Sequence, residues 1–497
     1  MSGPDRRAFL AGAVGAGSAA ALALGAPGAS ATGAAAGAAE VEAGAGAGGS
    51  GLPRRPRDAE AMAAGILAGI RPPRFPRRSV DITDHGAVGD GATDCTEAFR
   101  AAIAACAEAG GGRVVVPPGT WFTGAVHLRD NIDLHVSSGA TVRFSRDPAA
   151  YLPVVHTRHE GIECRNYSPF VYAHGCRNIA LTGGGTIDGQ ADATHWWDWT
   201  KGQNGGVSPE KVDKLALAAW AEQGVPVAER VFGADHHLRP SLIQFYDCRD
   251  VLIEGVTVKD SPMWNIHPVL CRNVTIRGVT VDSPHGPNND GCNPECCDSV
   301  LIEDCVFNTG DDCVAFKAGK NADGRRVGAP CRNALVQRCE MRDGHGGVTI
   351  GSETTGGVAN VLARDCRMDS PLLDRALRIK SNPERGGYVR DIVFRDITVG
   401  KVGDSVIEIA LNYEGIGSGA YYPDVRGIEV HHLTAQTGPL AWYFIGNDAN
   451  PVRDVLLHDC AFTDMTDTEE PRPYVTRNVE GLVLRRVTVN GEEVRTA

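Results

Sequence analysis

Aromatic residues make up only 6% of the 497-residue chain, and its formal net charge is −12. The acidic balance excludes wholesale attraction to nucleic acid or to an anionic membrane surface. An acidic protein that takes an acidic ligand needs a local basic patch. Past the N-terminus no stretch approaches the ~20 apolar residues of a membrane span. The 15 cysteines show neither paired CxxC spacing nor a Cys/His pattern of zinc type, and nothing suggests a metal or cofactor. Glycine, by contrast, is abundant, with 61 residues. Few rings and many glycines fit a turn-rich β protein better than a helical one.

The first 31 residues read as an export signal. Arg6-Arg7 with Phe9-Leu10 precedes an Ala/Gly-rich apolar run, and Ala29-Ser30-Ala31 offers a small-residue cleavage site. The arginine pair is of twin-arginine type, which exports proteins already folded and predicts a secreted product. Residues 32–76 are rich in Ala and Gly and then in Pro and Arg. They read as a disordered linker, with a short helix possible over 59–70. The folded domain is expected over 77–497. Thr93 to Ala109 predicts a helix capped by Thr93 or Asp94, with Ala98, Phe99, Ile103 and Cys106 on its apolar face.

A repeat dominates the rest. Val251-Leu252-Ile253-Glu254-Gly255-Val256-Thr257-Val258 recurs from Val274 and again from Val300, with looser copies from Ala334, Val361, Ile392, Ile428, Val455 and Leu482. Earlier copies start at Ile132 and Ile179. Each unit is a short strand, a polar or Gly pair and another short strand. It cannot bury its apolar side alone, whereas stacked units share a continuous core. The fold expected is all-β: a right-handed parallel β-helix. The Thr93–Ala109 helix covers its open N-terminal end. Cysteines at equivalent repeat positions (Cys305, Cys339, Cys366, Cys460) read as small hydrophobes stacked in the core.

One coil advances about one strand spacing, ~4.8 Å, so polar residues one period apart share a face. Asp311 and Asp312 follow Asp290 by 21 and 22 residues. His345 follows Asp312 by 33, Arg378 follows His345 by 33, and Tyr413 follows Lys380 by 33. Three carboxylates, an imidazole, two cations and a phenol thus form one column. Crowded carboxylates supply the protonated acid and the water-activating base of glycoside hydrolysis. Arg378 and Lys380 form the basic patch that an acidic sugar requires. The cluster Thr194 to Trp199 suits either a sugar-stacking platform or a loop anchor. Lys317, Trp264 and His267 are further candidates for the cleft.

Asn288-Asn289-Asp290, Gly310-Asp311-Asp312, Gly344-His345-Gly346 and Arg378-Ile379-Lys380 resemble the four signature motifs of the polygalacturonase family, glycoside hydrolase family 28. Asn289 stands where that family usually has Thr. The likeness extends through His85 to Gly91, Val115-Val116-Pro117 and Ser261 to His267. It implies inverting hydrolysis of α-1,4-galacturonosyl linkages in pectin by a monomer without cofactor or metal. Asp311 then matches the general acid, Asp290 and Asp312 the pair activating water, and His345 the residue tuning the acid. Arg378, Lys380, Tyr413 and Asn288 match substrate-binding positions. Rival readings are a β-helix pectate lyase, a non-enzymatic solenoid, and a relative acting on rhamnogalacturonan or xylogalacturonan. A helix is expected over Lys211–Glu222, inside an interruption at 201–240 placed to wall off one cleft end, which favours attack on chain termini.

Overall fold

The computed structural model describes residues 57–202, 205–467, 470 and 472–496. The expected signal and most of the expected linker lie outside them. The repeats stack in parallel in the register their sequences suggested. Val251 pairs with Val274, Val274 with Val300, Val300 with Ala334, Ala334 with Val361, Val361 with Ile392, and Ile392 with Ile428. The result is a parallel β-helix whose long sheet joins 24 strands. The residue before almost every repeat has a left-handed backbone, including Asn178, Asp250, Asn273, Ser299, Asn333, Asn360 and Asp391. Asn and Asp tolerate that conformation at low cost because their short side chains bond locally. The turn chemistry therefore recurs with the same period as the strands.

Within each repeat alternate residues point inward, so Val251, Ile253, Val274, Ile276, Val300 and Ile302 are at most 1% exposed. The cysteines behave as expected of small core residues. All 15 are free thiols and 14 are buried. Several donate S–H to the carbonyl two residues back, as Cys271 does to Val269 and Cys305 to Glu303.

Helix α2 (Thr96–Glu108) covers the N-terminal end through Ala98, Phe99, Ala102, Ile103 and Cys106. It starts three residues later than expected. Asp90 instead accepts from the Ala92 and Thr93 amides, and Asp94 accepts the Thr96 amide at 2.9 Å. Those turns consume the residues read as the first helical turn.

The segment read as linker up to residue 76 is docked from residue 57 onward. Helix α1 (Ala59–Ala68) is capped by Asp58 and lays Ala59, Ala63 and Ile66 on Leu301, Leu335, Leu362 and Val393. Those four side chains face outward on successive coils. Covering them removes apolar area worth about 25 cal/mol per Å². The strap continues through the Arg71 and Arg74 amides, which donate to Asn273 and Asn178 at 2.8 and 2.9 Å. Its Ala-rich composition hid an apolar stripe whose partner lies more than 230 residues away in sequence. Among the described residues no helix is long and apolar enough to cross a membrane.

Candidate active site

A second stack of strands carries the polar column. Val171–His174, Ile243–Tyr246 and Ile266–Val269 pair in parallel, and bridges through Cys292 and Glu295 continue the stack. Val314–Phe316, Val348–Gly351, Arg375–Lys380 and Ser405–Ala410 follow. Asp290, Asp311 and Asp312 sit in the turns that enter this stack, and each offers a carboxylate oxygen within 4.8 Å of the other two.

Local bonds fix each acid. Asn289 is fully buried. Its Nδ2 donates to the carbonyls of Ser261 (2.9 Å) and Met263 (2.8 Å), and its Oδ1 accepts from Ser283 Oγ at 2.8 Å. It holds the turn, and Asp290 projects from that turn to accept from Asn293 Nδ2 at 2.9 Å. The Asp311 carboxylate accepts the Asp312 amide at 2.9 Å and lies 3.0 Å from His345 Nδ1. Asp312 is fully buried, 2.7 Å from Lys380 Nζ and 3.3 Å from Arg378 Nη1. Gly346 is required by close approach: a Cβ there would lie 2.8 Å from Asp312 Oδ1 and 2.3 Å from Thr349 Oγ1.

Three carboxylates at this range, two of them buried, cannot all stay ionised without help. Burial and the charge of Asp311 push Asp290 well above the usual range. Burial also pushes Asp311 up, but His345, Lys380 and Arg378 outweigh it and hold Asp311 below the usual range. Lys380 and Arg378 do the same for Asp312. The hydrogen bond and charge of Asp311 raise His345 to about 9. The trio is the acidic cluster with metal-ligand spacing among the described residues. Lys380, Arg378, Lys317 and His345 already face its oxygens, which makes it a poor cage for a cation.

The structure brings all eight expected residues to one region, though not through the simple 33-residue column. Arg378 pairs in register with Thr349, not with His345. Its side chain instead reaches Asp312, 66 positions earlier. Tyr413 lies in a short 3-10 turn after the Ser405–Ala410 strand. Its ring sits 5.7 Å from the Arg378 guanidinium and 5.1 Å from Lys380 Nζ. Coil lengths differ, so equal spacing is not equal register. Asn288 is half-buried at the rim and accepts from Arg239 Nη2 at 2.8 Å.

Three features escaped the sequence reading. Glu408 pairs in register with Arg378 and accepts from Arg378 Nε at 2.8 Å and Arg375 Nε at 2.5 Å, so it aims the guanidinium. A charge flanked by Ile407 and Ile409 was its only sequence signal. Arg239 is fully buried. It bonds Glu210 of α3 (Pro209–Glu222) at 2.8 Å and donates to the carbonyls of Pro262 and Pro287, tying the insertion to the Asp290 turn. The third is an antiparallel hairpin, Val155–His159 with Ile162–Asn166, which lies over the outer face of the stack. There Gln244 Nε2 donates to the Arg158 carbonyl at 3.2 Å, Tyr246 donates to Glu163, and Arg158 pairs with Glu295 at 3.2 Å, both side chains fully buried. Lys317, a cleft candidate from the sequence, is buried 2.9 Å from Glu353 and 3.8 Å from Asp290, with its Nζ over Trp264.

The Trp cluster is an anchor. Trp196 is buried against Tyr151, Phe170 and Trp199. His267 is also fully buried, 2.8 Å from Glu295.

Comparison with known proteins gives a consistent picture. Residues 219–478 match the family described as "Glycosyl hydrolases family 28", and residues 79–142 match "Rhamnogalacturonase A/epimerase, pectate lyase-like". A "Probable polygalacturonase" of Vitis vinifera is 29% identical over 419 residues, which is 81% of this chain and 78% of that one. An "Exo-poly-alpha-D-galacturonosidase" of Dickeya chrysanthemi is 30% identical over 67% of this chain and 57% of its own length. The solved structure of a hyperthermoactive exopolygalacturonase from Thermotoga maritima superposes with a TM-score of 0.83 at 44% identity, covering 87% of this chain and 96% of the other.

Proposed function

The chain belongs to glycosyl hydrolases family 28, and from that premise we propose that it is an exo-acting polygalacturonase. It hydrolyses α-1,4-galacturonosyl linkages of pectin or polygalacturonate from chain ends. The observation that carries the chemistry is the trio Asp290, Asp311 and Asp312, flanked by His345 on one side and the Arg378/Lys380 pair on the other. Acids beside fixed cations suit a polymer whose every ring bears a carboxylate. The hairpin Val155–Asn166 and α3 support end attack, because the hairpin covers Gln244, Tyr246 and Glu295 on the outer face of the stack and α3 is tied through Arg239 to the Asp290 turn.

In this reading the Asp311/His345 pair holds one proton, which Asp311 delivers to the leaving glycosidic oxygen. Asp290 and Asp312 orient a water against the anomeric carbon, with inversion. Arg378, aimed by Glu408, grips the uronate together with Lys380, and Tyr413 and Asn288 contact sugar. The enzyme works outside the cell as a monomer, exported through the Arg6-Arg7 signal.

A product time course on defined oligogalacturonides tests the whole reading. Galacturonate or a short product accumulates from the start, polygalacturonate loses viscosity slowly, and proton NMR shows the β anomer first. An unsaturated, ultraviolet-absorbing product would point to a lyase instead, and a rapid viscosity fall would defeat the exo assignment.

The pH profile follows from the same charges. His345 is raised, so its ion pair with Asp311 is complete below about pH 6.5 and is lost as pH rises through about 9. kcat/KM should therefore fall on the alkaline side near that value. Asp290 is raised, so its ionisation, and with it the acid limb, should lie above the ordinary carboxylate range. Replacing His345 by Gln should remove the alkaline limb near 9. An unchanged profile in that variant would refute the pairing.

A further inference from the structure

Each acid of the trio faces its own cation. Asp311 has His345, and Asp312 has Lys380 and Arg378. Asp290 has Lys317, whose Nζ lies 3.8 Å from its Oδ2. The mechanism above gives Lys317 no task, yet this lysine is 3% exposed and fixed from three sides. Its Nζ donates to Glu353 Oε2 at 2.9 Å and to the Gly351 carbonyl at 3.1 Å, and it stands 4.7 Å from the centre of the Trp264 ring. A lysine on its flexible stem normally moves in water, and burying its charge costs free energy that fixed partners must offset. Burial works against the Lys317 charge, but Glu353, Asp290 and Asp312 outweigh it and raise the ammonium above its ordinary range. Glu353 is held in turn by Lys317, Lys320 and Arg385, which against burial keep it low, at about 2. The register brings the cation there. Lys317 directly follows the Val314–Phe316 strand and bridges to Glu295 on the coil before, whose carboxylate is spent on Arg158 and His267. On the coil after, Gly351 follows Ile350, the partner of Phe316, and pairs with Lys380. A residue without a side chain thus separates the two lysines, one serving Asp290 and the other Asp312.

We propose that Lys317 is a positioning residue of the hydrolysis: the fixed counter-charge that holds Asp290 as the anion able to take a proton from water, with Glu353 as the clamp that sets how much of that charge Asp290 feels. The inference rests on the reading of Asp290 and Asp312 as the water-activating pair, and adds what lets both ionise side by side. Lys317 acts through Asp290 and not on the sugar. The surrounding charges give the direction. Asp311 and Asp312 oppose ionisation of Asp290, Lys317 and Lys380 favour it, and Asn293 bonds it without charge.

The test is kcat/KM on oligogalacturonides against pH, in wild-type protein, Lys317→Met and Glu353→Gln. Lys317→Met should carry the acid limb upward by about 1–3 pH units, the size of one opposite charge lost at this range. Glu353→Gln removes an anion, keeps the shape and leaves Lys317 in place, so it should carry the same limb downward. The alkaline limb, set by Asp311 and His345, should stay where it is in both. Damage to packing alone would not move one limb in opposite directions. Lys317→Met strands Glu353 in the interior, and its thermal midpoint shows whether it folds. If it does not, Glu353→Gln decides alone. An acid limb unmoved in Lys317→Met, or unmoved or raised in Glu353→Gln, would overturn the assignment. Infrared titration of the Asp290 carboxyl, identified by its loss in Asp290→Asn, reads the same shifts without turnover. The two failures are therefore distinct: wild-type protein that releases no reducing ends from polygalacturonate defeats the hydrolase reading, while the carboxyl still reports on Lys317.

Discussion

Asp311→Asn lowers kcat on oligogalacturonides by about 10³-fold, within the range that a positioned general acid contributes. The amide keeps the shape and can still accept the Asp312 amide, which donates to Asp311 Oδ1 at 2.9 Å. The turn therefore stays folded, and KM should move little. What disappears is the proton. Asp311 and His345 hold it between them across 3.0 Å, and an asparagine neither ionises nor raises the imidazole. A second readout follows: His345 should titrate near its ordinary value in the variant, visible by NMR. Asp312→Asn is the informative contrast. Asp312 is fully buried and carries Lys380 at 2.7 Å and Arg378 at 3.3 Å. Its neutralisation leaves Lys380 without that partner and Arg378 with Glu408 alone, so it should lower stability and weaken substrate binding as well as kcat. Substantial turnover in Asp311→Asn would refute the acid assignment, even with the other carboxylates in place.

Arg239→Met should cost about 3–5 kcal/mol, the penalty for removing one partner of a buried ion pair. Arg239 is fully buried, Glu210 is 3% exposed, and their side chains meet at 2.8 Å. The variant leaves Glu210 charged in the interior. It also leaves the carbonyls of Pro262 and Pro287 and Oδ1 of Asn288 without their donor. Helix α3 and the Asp290 turn both loosen, so activity should fall even though Arg239 touches no reacting atom. Urea unfolding checks the magnitude. Adding Glu210→Met should recover part of the loss, because the stranded charge is then gone. A change below about 1 kcal/mol would mean that the pair is replaced by solvent and that Arg239 does not hold the insertion.

Much of this was legible without coordinates. The repeats Val251, Val274, Val300 and Ala334 predicted the strand register, because inward Val and Ile positions can stack in only one frame without exposing the core. Asp290, Asp311, Asp312 and His345 were legible because turn residues recur with the coil. The helix Ala59–Ala68 was suspected but not its docking, since its four outward-facing partners are spread over successive coils. The hairpin Val155–Asn166 was missed altogether. Its strands pair with each other over the sheet instead of joining a coil, and no periodicity announces that.

The sequence by itself determined the solenoid, its register and the meeting of Asp290, Asp311 and Asp312, since all of these follow from local pattern repeated at coil spacing. Only the tertiary structure decided which groups tune and confine them. Glu408 aims Arg378, Arg239 binds the insertion to the Asp290 turn, and the hairpin roofs the cleft. Each of these is a single side chain or an off-register segment acting across the stack. Such contacts depend on unequal coil lengths and on burial, and a linear period carries neither.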